Sequence, residues 1–133
     1  MDNKIVSFIM ATSGTIGIYF FGGFDLIIQS LIIFMVLDYI TGIASAFINK
    51  SLSSTAGFKG ILRKVGIFLV ITVAHFLDMA TGLEEPLFRT MTIWFYITNE
   101  GLSILENLGK IGVPMPSSLV KVLEKLQINK SKQ

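Results

Sequence analysis

Residues 26–48, LIIQSLIIFMVLDYITGIASAFI, decide the fold class. As one helix the stretch is long enough to cross the roughly 30 Å hydrocarbon core of a bilayer, for which about 20 apolar residues suffice. Its 13 Leu, Ile, Val and Phe residues favour insertion by about 4 to 8 kcal/mol, against roughly 3 for the single charged side chain, Asp38, near the middle. This segment inserts unaided.

Three further apolar runs flank it. Residues 5–21 are uncharged but diluted by Ser7, Thr12, Ser13, Gly14, Thr15 and Gly17. Residues 65–83 hold 10 large aliphatic or Phe side chains against His75 and Asp78, and residues 87–108 hold nine against Asn99 and Glu100. These last two spans lie near balance, so partners that satisfy their polar groups are expected to hold them in place. Two acidic residues and a proline, Glu84-Glu85-Pro86, force the turn between them.

The expected protein is therefore an all-α integral membrane protein that assembles with copies of itself, with four transmembrane helices at 5–21, 26–48, 65–83 and 87–108. A three-span alternative lays the first run in the interface. The segment 49–64 reads as a basic cytoplasmic loop, and 109–133 as a cytoplasmic tail. Within that tail, Leu119, Val122, Leu123 and Leu126 recur at helical spacing opposite Lys121, Glu124 and Lys125, which predicts an amphipathic helix over 117–128. Ser117 or Ser118 is the expected cap. Ten of the 11 Lys and Arg residues fall before the first span, between the second and third, or after the fourth, with Arg89 the exception. The positive-inside rule then puts both termini of the four-span protein in the cytoplasm. The first run lacks a basic start followed by a small-residue cleavage site, so a cleaved signal peptide is not expected.

Composition narrows the function. Charged residues make up 15% of the chain, against about 25% in soluble domains. There are no cysteines and one histidine, which removes disulfide and thiolate-metal chemistry and argues against a histidine metal site. No cofactor, metal or nucleic acid partner is expected, and no catalytic residue; a net charge of +2 is too small to argue for nucleic acid. The protein reads as a non-enzyme.

The polar positions form seams. Asp38, Thr41, Gly42, Ser45 and Asn49 share one helical face, with Gly42 and Ala46 as a small-xxx-small pair. Arg89, Thr92, Tyr96, Asn99, Ser103 and Glu106 form another, beside Glu100, and His75 with Asp78 a third. Such seams either pack together inside one bundle or meet water once copies associate. Asp38-x-x-Thr41-Gly42 and Asp78-x-x-Thr81-Gly82 repeat one string in consecutive helices at comparable expected depth, which raises an aspartyl pair sharing a proton. The string is short and the chain has little left for a substrate gate. A proton or cation path through Asp38, His75, Asp78 and Glu100 is the better alternative: a small ion-coupled transporter or channel subunit.

Leu37-Asp38-Tyr39-Ile40-Thr41-Gly42, Lys50-Ser51-Leu52-Ser53-Ser54 and Gly60-Ile61-Leu62-Arg63-Lys64 closely resemble the toxin-secretion/phage-lysis holin family. Asn99–Leu108 and Gly112-Val113-Pro114-Met115-Pro116 resemble its C-terminal signature. The resemblance runs over about residues 26–126. It implies a small, phage- or prophage-encoded, multi-pass protein of the bacterial inner (cytoplasmic) membrane that forms homo-oligomeric lesions. Those lesions release a murein hydrolase (endolysin) or a toxin and collapse the membrane potential, the cytolysis that ends in host lysis. Several holins carry two nearby start methionines separated by a lysine; here the next, Met10, lies inside the first run, which argues against that form of timing control.

For single residues, Asp38 is expected to pair with Arg63 or Lys64, whose long stems reach upward from the cytoplasmic boundary. The alternative for Lys50, Lys59, Arg63 and Lys64 is contact with anionic lipid headgroups. Asn99, Glu100 and Ser103 are the candidate pore-lining residues. Asp38, Thr41, Gly42, Arg63, Lys64 and Asp78 are the candidates for helix packing or pairing.

Overall fold

The computed structural model describes residues 2–130, and these form five helices: α1 (Asn3–Phe21), α2 (Leu26–Ile48), α3 (Ser54–Thr81), α4 (Leu87–Ile111) and α5 (Ser117–Lys130). Among the described residues there is no strand.

Each boundary has a local cause. Gly22 adopts the left-handed conformation, φ 76°, and returns its N–H to the Ile18 carbonyl at 2.9 Å, which ends α1. Ser53 is extended, and its Oγ accepts the Ala56 N–H at 3.3 Å, an N-cap that starts α3. Helix therefore begins well inside the segment read as a loop over 49–64. The serine that looked like loop composition is the cap, and nothing after it breaks the helix. Gly82 and Gly112, at φ 66° and 96°, end α3 and α4. At the start of α5 the Pro116 carbonyl accepts from Leu119 and Val120. Ser117 and Ser118, the expected caps, thus lie inside the first turn.

Helices α2, α3 and α4 make the core. Ile28, Leu31 and Met35 of α2, Ile67 and Ile71 of α3 and Ile93 and Ile97 of α4 form one buried cluster. The long contact is between α2 and α4, with α3 against α4 next, while α2 and α3 barely touch. Matched contacts fix the directions: Asp25 meets Arg89, Phe34 meets Gly101 and Asp38 meets Asn107, so α2 and α4 run parallel. A Cβ at Gly101 would lie 3.3 Å from the Phe34 ring, which marks the close approach of those two helices. No residue of α1 is buried.

Around this core the surface is apolar, with Ile33, Val36, Ile40, Leu69, Val73, Trp94 and Phe95 all exposed. Three helices, α1, α2 and α3, are long and apolar enough to cross a membrane. Helix α4 has the length, 25 residues, but carries Arg89, Asn99, Glu100, Glu106, Asn107 and Lys110. Helix α3, at 28 residues, measures about 42 Å and overshoots a hydrocarbon core of roughly 30 Å.

Candidate functional site

Two polar clusters tie the helices together, one halfway along α2 and one at the opposite end of α3. At the first, Lys64 of α3 reaches between α2 and α4. Its Nζ donates to Asp38 Oδ2 at 2.8 Å and to Glu100 Oε2 at 2.5 Å. The side chains of Lys64, Asp38 and Glu100 are 18, 17 and 11% exposed, so the contact is largely shielded from solvent. The other oxygen of Asp38 accepts from Asn107 Nδ2 at 3.2 Å. That amide also reaches the Asp38 carbonyl at 3.3 Å and Thr41 Oγ1 at 3.2 Å. One ammonium thus serves two carboxylates, and with all three ionised the group carries one net negative charge. Arg63, the other candidate partner of Asp38, is exposed and makes no ion pair among the described residues.

Beside this cluster lies a cavity of about 870 Å³, walled by α2 and α3 and floored by α4. Asn99, Glu100 and Ser103 all line it, as do Asp38, Lys64 and Arg63. It runs to the turn at Ser51–Ser53. Gly42 and Ala46 face this space and not a tight helix contact, since a Cβ on Gly42 would meet only the Asn107 amide, at an ordinary 3.5 Å. No group of His, Asp and Glu suited to a metal occurs among the described residues.

The second cluster centres on Arg89, 3% exposed. Its guanidinium donates to both Asp25 oxygens, at 2.9 and 2.8 Å, to the Gly23 carbonyl at 3.5 Å and, through Nε, to the Phe21 carbonyl. The hydrogen bond from Arg89 holds the Asp25 carboxyl below its ordinary value. Asp78 sits in the last turn of α3. Its oxygens accept the Phe88 and Arg89 N–H groups, each at 2.8 Å, and so cap the free amides at the start of α4. His75 is not part of that bond: it packs beside Gly22, where an added Cβ would lie 2.6 Å from His75 Nδ1 and 2.9 Å from Arg89 Cδ and Nε.

The aspartyl-pair reading fails on this geometry. Asp78 is fixed to residue 88 of α4 and Asp38 is linked through Lys64 to residue 100, about 18 Å further along the helix. The comparable depth expected of them does not hold within the bundle, because Asp78 lies in the last turn of α3, at the end that meets the start of α4, whereas Asp38 lies halfway along α2. For the same reason, the expected path through Asp38, His75, Asp78 and Glu100 divides between two separate clusters. Asn107 and Asp25 had not stood out. Asn107 falls beside the spacing of the α4 seam, and the signal for Asp25 was its position on the same side as the one dissenting cation, Arg89.

The bacteriophage holin family model matches residues 15–128. The chain belongs to that family. A protein of Clostridium acetobutylicum is 42% identical over 82% of this chain and 87% of its own length. A 14.9 kDa protein of Clostridium perfringens is 38% identical over 98% of this chain and all of its own. A protein named as a probable holin, of Bacillus phage phi105, is 38% identical over 73% of this chain and 71% of its own. No solved structure matches. Holins are non-enzymatic membrane proteins. Family membership and the three apolar helices together indicate a membrane protein of the inner membrane. The family match starts at Thr15, so most of α1 lies outside it.

Proposed function

We propose that this chain accumulates in the bacterial inner membrane, oligomerises and opens lesions that let an endolysin or a secreted toxin pass while the membrane potential collapses. The observation that carries this reading is the Asp38–Lys64–Glu100 cluster, one ammonium between two carboxylates beside a cavity of about 870 Å³, inside a bundle whose outer surface is apolar. Such a group is costly in lipid and favours any arrangement that gives it water or further partners. Copies that associate along the cavity side supply both. Asn99, Glu100 and Ser103 then border the opening.

In this reading α4 is a fourth span, although it is too polar to insert alone. It lies parallel to α2 from Arg89 at one end to Asn107 at the other, with Arg89 turned onto the α1–α2 turn, Glu100 onto Lys64 of α3 and Asn107 onto Asp38 of α2, while Glu106 and Lys110 near its far end pair with each other. A helix satisfied in this way enters with its neighbours. Four spans put both termini, the start of α3 and the whole of α5 on the cytoplasmic side.

The cavity and its carboxylates also support a second reading, an ion-coupled channel or transporter subunit. The size of what crosses separates the two. Induced expression in bacteria, with and without a co-expressed murein hydrolase, should cause a sudden fall in culture density with the hydrolase and release large cytoplasmic proteins. Permeability to small ions alone, with the hydrolase retained, would overturn the lesion reading in favour of the channel.

A further inference from the structure

Helix α1 is long and apolar enough to cross a membrane, yet none of its residues is buried. Its contacts with the rest of the chain run through its last turn. Phe21 packs on Phe68 with ring centroids 5.3 Å apart, and Tyr19 meets Phe76 at 5.8 Å. Nearer the N-terminus it stands clear: a Cβ added at Gly14 or Gly17 would meet nothing within 4 Å. Its exit is set by the left-handed Gly22 and by Arg89 on the Phe21 carbonyl.

Phe68 also belongs to a second surface. With Met35, Val36, Ile40, Ile61 and Val65 it lines an apolar groove of about 290 Å³ between α2 and α3, which no α1 residue of the same chain enters. The groove continues the face of α3 on which Phe21 already rests, starting where α1 has turned away. Lengths agree as well. Ala11, counted back from Phe21, and Val36, counted on from Leu26, each lie about 15 Å along their helices from the α1–α2 turn. Ser7, Ala11 and Gly14 share one face of α1, small side chains that let a helix backbone come close. Between Ile5 and Phe21 α1 carries no charge, as an apolar groove requires.

We propose that α1 of one copy lies in the α2–α3 groove of a second copy. Arm and groove are different surfaces, so the contact is heterologous: each copy donates one arm and accepts another, and the assembly closes as a ring or extends as an array. This rests on the oligomerisation proposed above and names its contact.

The chain has no cysteine, so disulfide mapping is direct. Ala11→Cys combined with Val36→Cys, oxidised in membranes with copper phenanthroline, should give a ladder of dimers, trimers and larger species on a non-reducing gel. Each single variant should stay monomeric. Ser7→Cys with Ile40→Cys is a second pair at matched depth and should give the same ladder. An internally bridged monomer would overturn the proposal, because α1 would then fill its own groove; so would dimers from Ala11→Cys alone without a ladder, which indicate α1 against α1. Lysine-directed crosslinking of the unmodified chain keeps the two ideas apart. Oligomers there with no ladder from either cysteine pair discard the interface and leave the oligomer; monomers in both assays discard both.

Discussion

The two polar clusters solve the same problem with opposite balances. Around Arg89 one buried cation meets one carboxylate and two backbone carbonyls, while Asp78 is satisfied separately by backbone amides. Every strong partner there has a counterpart, and the group holds together the α1–α2 turn and the junction of α3 with α4. Around Lys64 one cation stands between two carboxylates, supported by one amide, and a cavity opens beside it. The first cluster is closed and holds the bundle; the second sets one cation between two carboxylates and faces open space. Under the lesion-forming role proposed above, the closed end suits permanence and the open end suits change.

Lysine removal is the sharpest way to break the contrast. Lys64→Met leaves Asp38 and Glu100 facing each other without a cation, a loss of about 3–5 kcal/mol when one member of a shielded pair is removed. Detergent-solubilised protein should melt at much lower temperature, and induced cultures should not lyse. Replacing all three, with Asp38→Asn and Glu100→Gln added, should recover most of the melting temperature. A triple variant as unstable as the single would show that shape, not charge, dominates. Asp38→Ala should abolish lysis while the protein still appears in the membrane fraction.

Arg89→Gln ranks second. It strands the Phe21 carbonyl, at about 1–3 kcal/mol for an unsatisfied buried polar group, but Asp25, with its side chain 51% exposed, can turn to water. Melting should fall by less than for Lys64→Met. Gly22→Ala should come close behind, since a left-handed non-glycine residue costs about 1–3 kcal/mol and its Cβ would press on His75 and Arg89. Parental stability in Gly22→Ala would show that the turn can relax and that the outer cluster is looser than its geometry.

The smallest effect is that of pH on Asp25. Its folded-state value is lowered from 3.8, chiefly by the Arg89 hydrogen bond. The stabilisation from this group is therefore complete above the ordinary carboxylate range and is lost as pH falls through the lowered value. Between neutral and strongly acid pH the parent should lose slightly more melting temperature than Asp25→Asn does. Equal losses would mean that the pairing adds nothing outside the bilayer.

Much of the helix pattern could be read without coordinates, because long apolar runs and the breaks at Gly22-Gly23 and Glu84-Glu85-Pro86 are local signals. The start of α3 was hidden by composition: Ser53 and Ser54 look like loop until one asks which amide the hydroxyl caps. For Asp38, stem length admitted both Arg63 and Lys64. Adjacent residues on a helix point about 100° apart, and only the packing of α3 on α4 decides which turns inward. The partners of Asp78 stayed hidden because the first amides of α4 are backbone groups that no residue pattern displays. Glu100 stood out by its cost in lipid, whereas its sharing of Lys64 with Asp38 depends on α2 and α4 running side by side.

Helix α3 exceeds the hydrocarbon thickness and carries Lys59, Arg63 and Lys64 in its first turns. A rod of fixed length does not shorten, so in a thinner bilayer it must tilt or rise. In the proposed four-span arrangement either movement shifts Lys64 against α2 and α4, so that local thinning of the membrane would bear on the pair that joins those two helices.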